Sequence, residues 1–264
     1  RGSYAVMSTM NLDQAMEVFA LYCKSKGLAP RTIETYSYAL QRLRKHLSQS
    51  GSSPPIPTQQ DLRGFITEML GRGVARGTIR IRMRAIRCFC NFLEREEIVD
   101  ESPTKGVEIP KVPTRYPEII TKEQARKLLG AARRGSWTGK RNRAILTAFL
   151  DTGMRLSELI GLDLGDVDLR TRTIRIRSGK GDKERHVYMG RALVKAFRRW
   201  LEVRGFHEEK TPFFLTKEGN RLDLRNVERI VERIAARAEI DGVRITPHIL
   251  RHTFATHYIQ NGGD

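Results

Sequence analysis

Residues 102–117, SPTKGVEIPKVPTRYP, limit the fold of this chain more than any other stretch. Four prolines fall in it, with little apolar content. Proline fixes φ and lacks an N–H, so the stretch cannot continue a core helix or a central strand and reads as a semi-extended linker. One core running through the whole chain is therefore not expected. The sequence divides into a helical domain over residues 11–101, the linker 102–117 and a second domain over 118–264, after a start segment at residues 1–10. That start opens Arg1-Gly2-Ser3 and reads as a tag remnant ahead of Met7 or Met10.

Upstream of the prolines the periodicity is helical throughout. Leu12, Ala15, Met16, Phe19 and Ala20 recur at i, i+3, i+4 spacing and predict a helix from Asn11 that stops at Gly27. Pro30 opens a second helix with Ile33, Tyr36, Leu40, Leu43 and Leu47 on one face. The Ser, Gly and Pro residues of 48–58 predict a loop, and a third helix covers about 59–70. A fourth, over 78–93, reads TIRIRMRAIRCFCNFL. Ile79, Met83, Ile86 and Phe89 form its apolar face, while Arg80, Arg82, Arg84 and Arg87 crowd the rest. A solvated face explains those arginines on this helix alone. In a basic domain they also suit contacts to DNA phosphates.

The downstream half mixes elements. Thr121 with Glu123-Gln124 predicts a helix start, and 142–151 is apolar and helical. Residues 170–177 alternate, Ile174 and Ile176 one way, Arg175 and Arg177 the other, so they read as a strand. Ser178-Gly179-Lys180-Gly181-Asp182 turns the chain, and 184–189 returns. Helices follow over about 191–204 and 226–239. The fold class expected is mainly α with a small antiparallel β-sheet, in two domains.

Charge narrows the partner. Lys and Arg number 48 against 30 Asp and Glu, a net +18 spread along the whole chain. A folded surface of this sign gathers polyanions, and nucleic acid is the commonest of them. The three cysteines, Cys23, Cys88 and Cys90, form no C-x-x-C pair, which argues against a disulfide framework or a zinc site. Cys88 and Cys90 are expected as buried small hydrophobes. No apolar run approaches the ~18 residues of a membrane span, and no secretory signal is present, so a cytoplasmic protein with no membrane partner is expected.

Four segments carry side chains suited to chemistry. In TGMRLSEL, 152–159, Gly153 permits a turn, and Arg155 opens a helix with Glu158 one turn on. An arginine there faces anions together with the positive helix end, although a surface Arg–Glu pair accounts equally for a lone instance. In SGKGDKER, 178–185, Lys180 stands between glycines at a hairpin tip. The P-loop pattern does not fit it, so Lys180 is either solvated or a phosphate contact or proton donor. Arg177 and Lys183, flanking that tip, are counted with the DNA contacts. In HILRHTFATH, 248–257, His248 and Arg251 are neighbours on one helical face. His248 and His252 have the spacing of zinc-binding helices, but no Glu follows His248 and no acid or cysteine lies in the segment. In DLGDVD, Asp163, Asp166 and Asp168 offer carboxylates for Mg²⁺, or simply the aspartates usual where a helix passes into a loop. Arg155, Lys180, His248 and Arg251 together suggest phosphoryl transfer by direct charge stabilisation.

The three ordered motifs TGMRLSEL, SGKGDKER and TPHILRHTFATH resemble the catalytic domain of tyrosine recombinases, closest to the Xer and phage-integrase branch. The helical half is similar to the SAM-like core-binding domain of that family. The resemblance implies a clamp around duplex DNA and an all-α domain paired with an α+β catalytic one. It implies that Arg155 and Arg251 bind the scissile phosphate, that His248 assists as hydrogen-bond donor or base, that Lys180 is the general acid and that Glu158 buttresses the site. It further implies a 3′-phosphotyrosine intermediate, no metal and no other cofactor, and partner subunits that form a tetramer on two sites. In the family a second His or Trp and the nucleophilic tyrosine follow the HxxR helix. The sequence stops at Asp264 before either, and Tyr258 shares the expected helix of Arg251. The expectation is a recombinase truncated at its C-terminus that binds duplex DNA without cleaving it. A naturally inactive DNA-binding accessory protein and a metal-dependent nuclease using the aspartates are the alternatives.

Overall fold

A computed structural model describes residues 10–49, 56–113, 118–132, 135–177, 184–205 and 211–262. The start segment 1–9 and the hairpin tip with Lys180 and Lys183 lie outside the described residues. The chain separates into two compact units, Arg1–Thr114 and Arg115–Asp264.

The first unit is helical: α1 (Leu12–Ser25), α2 (Pro30–Gln49), α3 (Gln59–Gly71) and α4 (Arg76–Arg95). Asn11 caps α1 by a reciprocal bond with Gln14, and Thr58 caps α3 in the same way with Asp61. The long α4 lies against α1, α2 and α3, and Ile79, Met83, Ile86, Phe89, Cys90 and Leu93 are buried along it. Phe19 of α1 packs its ring on Phe89 at 5.4 Å and on Phe92 at 5.3 Å. Cys90 is buried as expected, but Cys88 is exposed, because it falls on the arginine-bearing side of α4, within 3.5 Å of the Tyr36 hydroxyl.

The first part of the proline-rich stretch does not hang free. Ser102 and Thr104 are buried, Ser102 Oγ donates to Asn91 Oδ1 at 3.1 Å, and Val107 enters the core of the first unit. Proline removes backbone donors yet leaves apolar neighbours able to pack, so the segment up to Val107 belongs with the helices and the linker reading fails there.

The second unit contains α5 (Lys122–Ala131), α6 (Trp137–Thr152), α7 (Leu156–Gly161), a 3₁₀ turn at Leu164–Asp166, β1 (Val167–Asp168), β2 (Thr173–Ile176), β3 (Arg185–Tyr188), α8 (Arg191–Arg204), α9 (Leu224–Arg237) and α10 (Pro247–Gln260). The sheet runs β1-β2-β3, antiparallel throughout, with Ile174 opposite Val187 and Ile176 opposite Arg185. The expected strand over 170–177 is shorter than its alternation suggests. Arg172 takes a left-handed φ of 59°, which ends pairing before Thr173 and leaves room for the two-residue β1 that periodicity did not reveal. Helix α6 starts at Trp137, earlier than its apolar run, because Ser136 caps it by accepting from Gly139 N at 3.1 Å.

Helix α6 is the axis of this unit, with α8 and α10 both packed on it. Phe149, Phe197, Trp200, Phe213 and Phe214 fill the core. Trp200 is fully buried, and its indole N–H donates to the Phe213 carbonyl at 2.9 Å, so its polar atom is satisfied. Trp200→Ala should therefore cost about 3–5 kcal/mol, from the cavity it leaves, since Arg204 Nε still donates to the Phe213 carbonyl at 3.0 Å. Urea unfolding of the variant beside the parent chain measures it, and a loss below about 1 kcal/mol would contradict this packing.

Candidate active site

The site is built around one carboxylate. Glu158 lies in the first turn of α7, with its side chain 2% exposed. Arg155 occupies the N-cap of α7, donating its backbone N–H to Glu158 Oε2 at 2.7 Å and its Nη1 to Oε1 at 2.8 Å. From β3, Arg185 grips the same carboxylate in a fork, Nη1 to Oε1 at 2.9 Å and Nη2 to Oε2 at 2.8 Å. Burial alone would raise the Glu158 pKa, but the hydrogen bonds from Arg185 and Arg155 outweigh it and hold the carboxyl at about 2.

Helix α10 brings the other motif to this carboxylate. Thr246 caps it, Pro247 stands in its first turn, and Arg251 reaches out to donate from Nη1 to the Gly153 carbonyl. Gly153 ends α6 with φ 58°, and a Cβ there would lie 2.2 Å from Phe254 of α10. The α6–α7 turn thus receives both Arg251 and Phe254. Arg251 is partly buried, and its pKa is lowered first by that burial, then by the charge of Arg155 and, more weakly, of Arg185, with Glu158 partly offsetting them. Arg155 and Arg251, from segments far apart in sequence, are close enough for their charges to act on each other. Thr253 secures α10 from behind, accepting the buried Ile120 N–H at 3.1 Å.

His248 sits exposed in the first turn of α10, one turn before Arg251, with its ring 5.5 Å from that of His252. No cluster of metal-ligating side chains occurs among the described residues. Of the expected site, the structure gathers Arg155, Glu158 and Arg251, places His248 on the same helix as Arg251, and leaves Lys180 outside the described residues.

The expected DNA contacts divide. Arg80, Arg84 and Arg87 are exposed on α4. Arg82 is turned inward, its guanidinium 5.6 Å from the Tyr38 ring centroid and its Nη1 against Met69 Sδ at 3.4 Å. Arg177 is held by carboxylates, Nε to Asp166 Oδ1 at 2.6 Å and Nη1 to Asp163 Oδ2 at 3.2 Å. Arg175 and Arg221 hold the same two acids, and the Asp166 side chain is only 1% exposed. The alternation of β2 could not disclose this network, since its partners lie before the strand.

Sequence reasoning did not single out Arg185. Its place two residues past the hairpin tip gives no periodic signal, and only the register Ile176↔Arg185 directs it towards α7.

Residues 118–264 match the Phage integrase family, and residues 17–97 match the phage integrase N-terminal SAM-like domain. A tyrosine recombinase XerC of Chlamydia caviae is 32% identical over 273 residues, covering 95% of this chain and 87% of that protein. A tyrosine recombinase XerC of Thermodesulfovibrio yellowstonii is 36% identical over 212 residues, covering 77% and 69%. The crystal structure of XerA recombinase is similar with a TM-score of 0.52 and 25% identity, over 96% of this chain and 86% of that one. Lambda integrase residues 75–356, solved as a dimer bound to a COC′ core site, share the fold with a TM-score of 0.79 at 16% identity, over 97% and 92%. The chain belongs to the phage integrase family.

The depressed acidity of Glu158 gives a stability test. A carboxyl whose folded pKa lies near 2, below the usual 4.5, adds stability above about pH 4.5 and loses it as pH falls towards 2. Glu158→Gln should lower stability at pH 7 and show a shallower decline between pH 4.5 and 2 than the parent chain. Denaturant titrations across that range decide it, and parallel declines would remove the ion-pair role.

Proposed function

We propose that this protein is a site-specific DNA recombinase of the tyrosine type. The observation that carries the reading is the meeting of Arg155 and Arg251 across Gly153, backed by the buried Glu158. Two guanidinium groups so placed present donors to the nonbridging oxygens of one phosphodiester and favour the charge that builds there during displacement. His248, near the positive end of α10, donates a hydrogen bond to the phosphate or takes the proton of the nucleophile. Lys180 gives a proton to the departing 5′-oxygen.

In that reaction a tyrosine oxygen forms the new bond to phosphorus while the bond to the 5′-oxygen breaks, leaving a 3′-phosphotyrosine. Reversal by a 5′-hydroxyl of another strand rejoins the DNA, so bond energy is conserved and no metal or other cofactor is required. Among the described residues, no hydrogen bond joins a tyrosine to Arg155, His248 or Arg251. Tyr258 is half exposed and stacked on Phe254. We expect residues 1–264 by themselves to bind duplex DNA without cutting it.

The partners in this reading are a double-stranded recombination site and further recombinase subunits, four on two sites, and the protein works in the cytoplasm beside its DNA. Among the described residues, no helix is long and apolar enough to cross a membrane. Arg80, Arg84 and Arg87 serve as phosphate contacts of the helical unit. The engagement of Asp163 and Asp166 by arginines weighs against a metal-dependent nuclease.

A duplex selected from a randomised pool by binding, then nicked to trap the adduct, tests this. The complete gene product should form a covalent protein–DNA band in EDTA, and Arg251→Ala should abolish it while weakening binding only modestly. A band from residues 1–264 alone would overturn their inactivity, and none from the complete product would leave a DNA-binding accessory protein. Affinity for the selected duplex should fall about 10³-fold or more between 50 and 200 mM salt, as release of many counterions demands. A flat titration in a fluorescence-anisotropy assay would deny a phosphate-rich interface.

A further inference from the structure

Arg185 carries no role in the reading above, yet it makes the most complete ion pair at the site. We propose that Arg185 is a positioning residue for strand cleavage, clamping Glu158 so that Arg155 presents its guanidinium to the phosphate beside Arg251. The inference rests on the recombinase reading and adds a residue to it.

The geometry is that of a shared hinge pin. The Glu158 carboxylate accepts four hydrogen bonds, two from Arg155 and two from Arg185. Those from Arg155 come from its own helix turn and fix one side of the carboxylate. Those from Arg185 come from another element and fix the other side, so the plane of the carboxylate cannot rotate. Of the Arg155 guanidinium only Nη1 is committed to Glu158, and the side chain is 42% exposed, which leaves donors facing solvent for an anion. Arg185 meets Glu158 as a two-pronged fork through both Nη atoms, the arrangement of a residue that acts through the carboxylate.

Its anchorage is independent of α7. The β2–β3 ladder sets Arg185 opposite Ile176, and the next residue, Arg177, is locked to Asp163 and Asp166. Without Arg185 the buried carboxylate would keep donors from one side only. Rotation or protonation would then free Arg155, and a guanidinium displaced by about 1 Å forfeits much of its effect on a transition state. A lysine in its place retains charge but not the planar fork.

The test measures single-turnover adduct formation by the complete gene product on the selected, nicked duplex, alongside the Kd for the same duplex. Arg185→Gln should slow cleavage by about 10²-fold, the size expected for a misplaced charge-stabilising donor, while Kd stays within about twofold. Arg185→Lys should recover only part of the rate. Glu158→Gln should slow cleavage comparably, and the double variant should be no slower than either single one, since both act as a unit. A 5′-bridging phosphorothiolate, whose leaving group needs no proton, should not restore the rate. Unchanged cleavage in Arg185→Gln, multiplying losses in the double variant, or restoration by the phosphorothiolate would each overturn the inference and leave the recombinase reading standing. Absence of cleavage by the parent protein would overturn that reading and the inference with it. Should Arg185→Gln fail to bind DNA, Arg185→Lys decides by the same rate and Kd.

Discussion

The buried carboxylate of Glu158 is the contact on which the second unit's arrangement depends. A charge that deep in protein is unfavourable unless it is fully hydrogen-bonded, and here each oxygen accepts two hydrogen bonds, from two guanidinium groups and the Arg155 backbone N–H. That requirement explains the surrounding design. Arg155 must sit at the start of α7, β3 must run so that its first residue faces the helix, and α6 must end in a turn tight enough to bring the three together. The acid also tempers repulsion among Arg155, Arg185 and Arg251, which would otherwise oppose their convergence.

Beside it, a second acidic centre works on the same principle. Asp163 and Asp166 hold Arg175, Arg177 and Arg221, and Arg221 also donates to the carbonyls of Ile160 and Leu162. Acids from one short stretch, 158–166, thus tie down both strands of the β2–β3 pair. In so cationic a chain, these acids are placed where they organise arginines and not where they would cancel the outer charge. Exposed cations such as Arg80, Arg84 and Arg87 remain available to a polyanion.

Much of this was legible in the sequence, because helix periodicity and caps are local signals. The α1 cap at Asn11, the Pro30 start of α2 and the span of α8 follow from residues a few positions apart. So does the i, i+3 placement of His248 and Arg251 on α10. What escaped depends on partners distant in sequence or on apolar residues hidden among prolines. Arg177 looked like a surface cation because nothing in β2 announces Asp163. Val107 looked like linker because four prolines surround it, and Arg82 looked solvent-facing although Tyr38 and Met69 cover it. The family motifs supplied Arg155, Glu158 and Arg251. They did not supply Arg185, whose meaning appears only when strand register meets helix cap.

Gly153 is the point at which these elements leave no latitude. Its left-handed φ and the ring of Phe254 pressed against it exclude any side chain, and its carbonyl is the seat of Arg251. Every missense change reachable from a glycine codon by one nucleotide adds at least a β-carbon. Drift has no gradual path through this position, and a saturation library screened for function should return glycine there and nothing else.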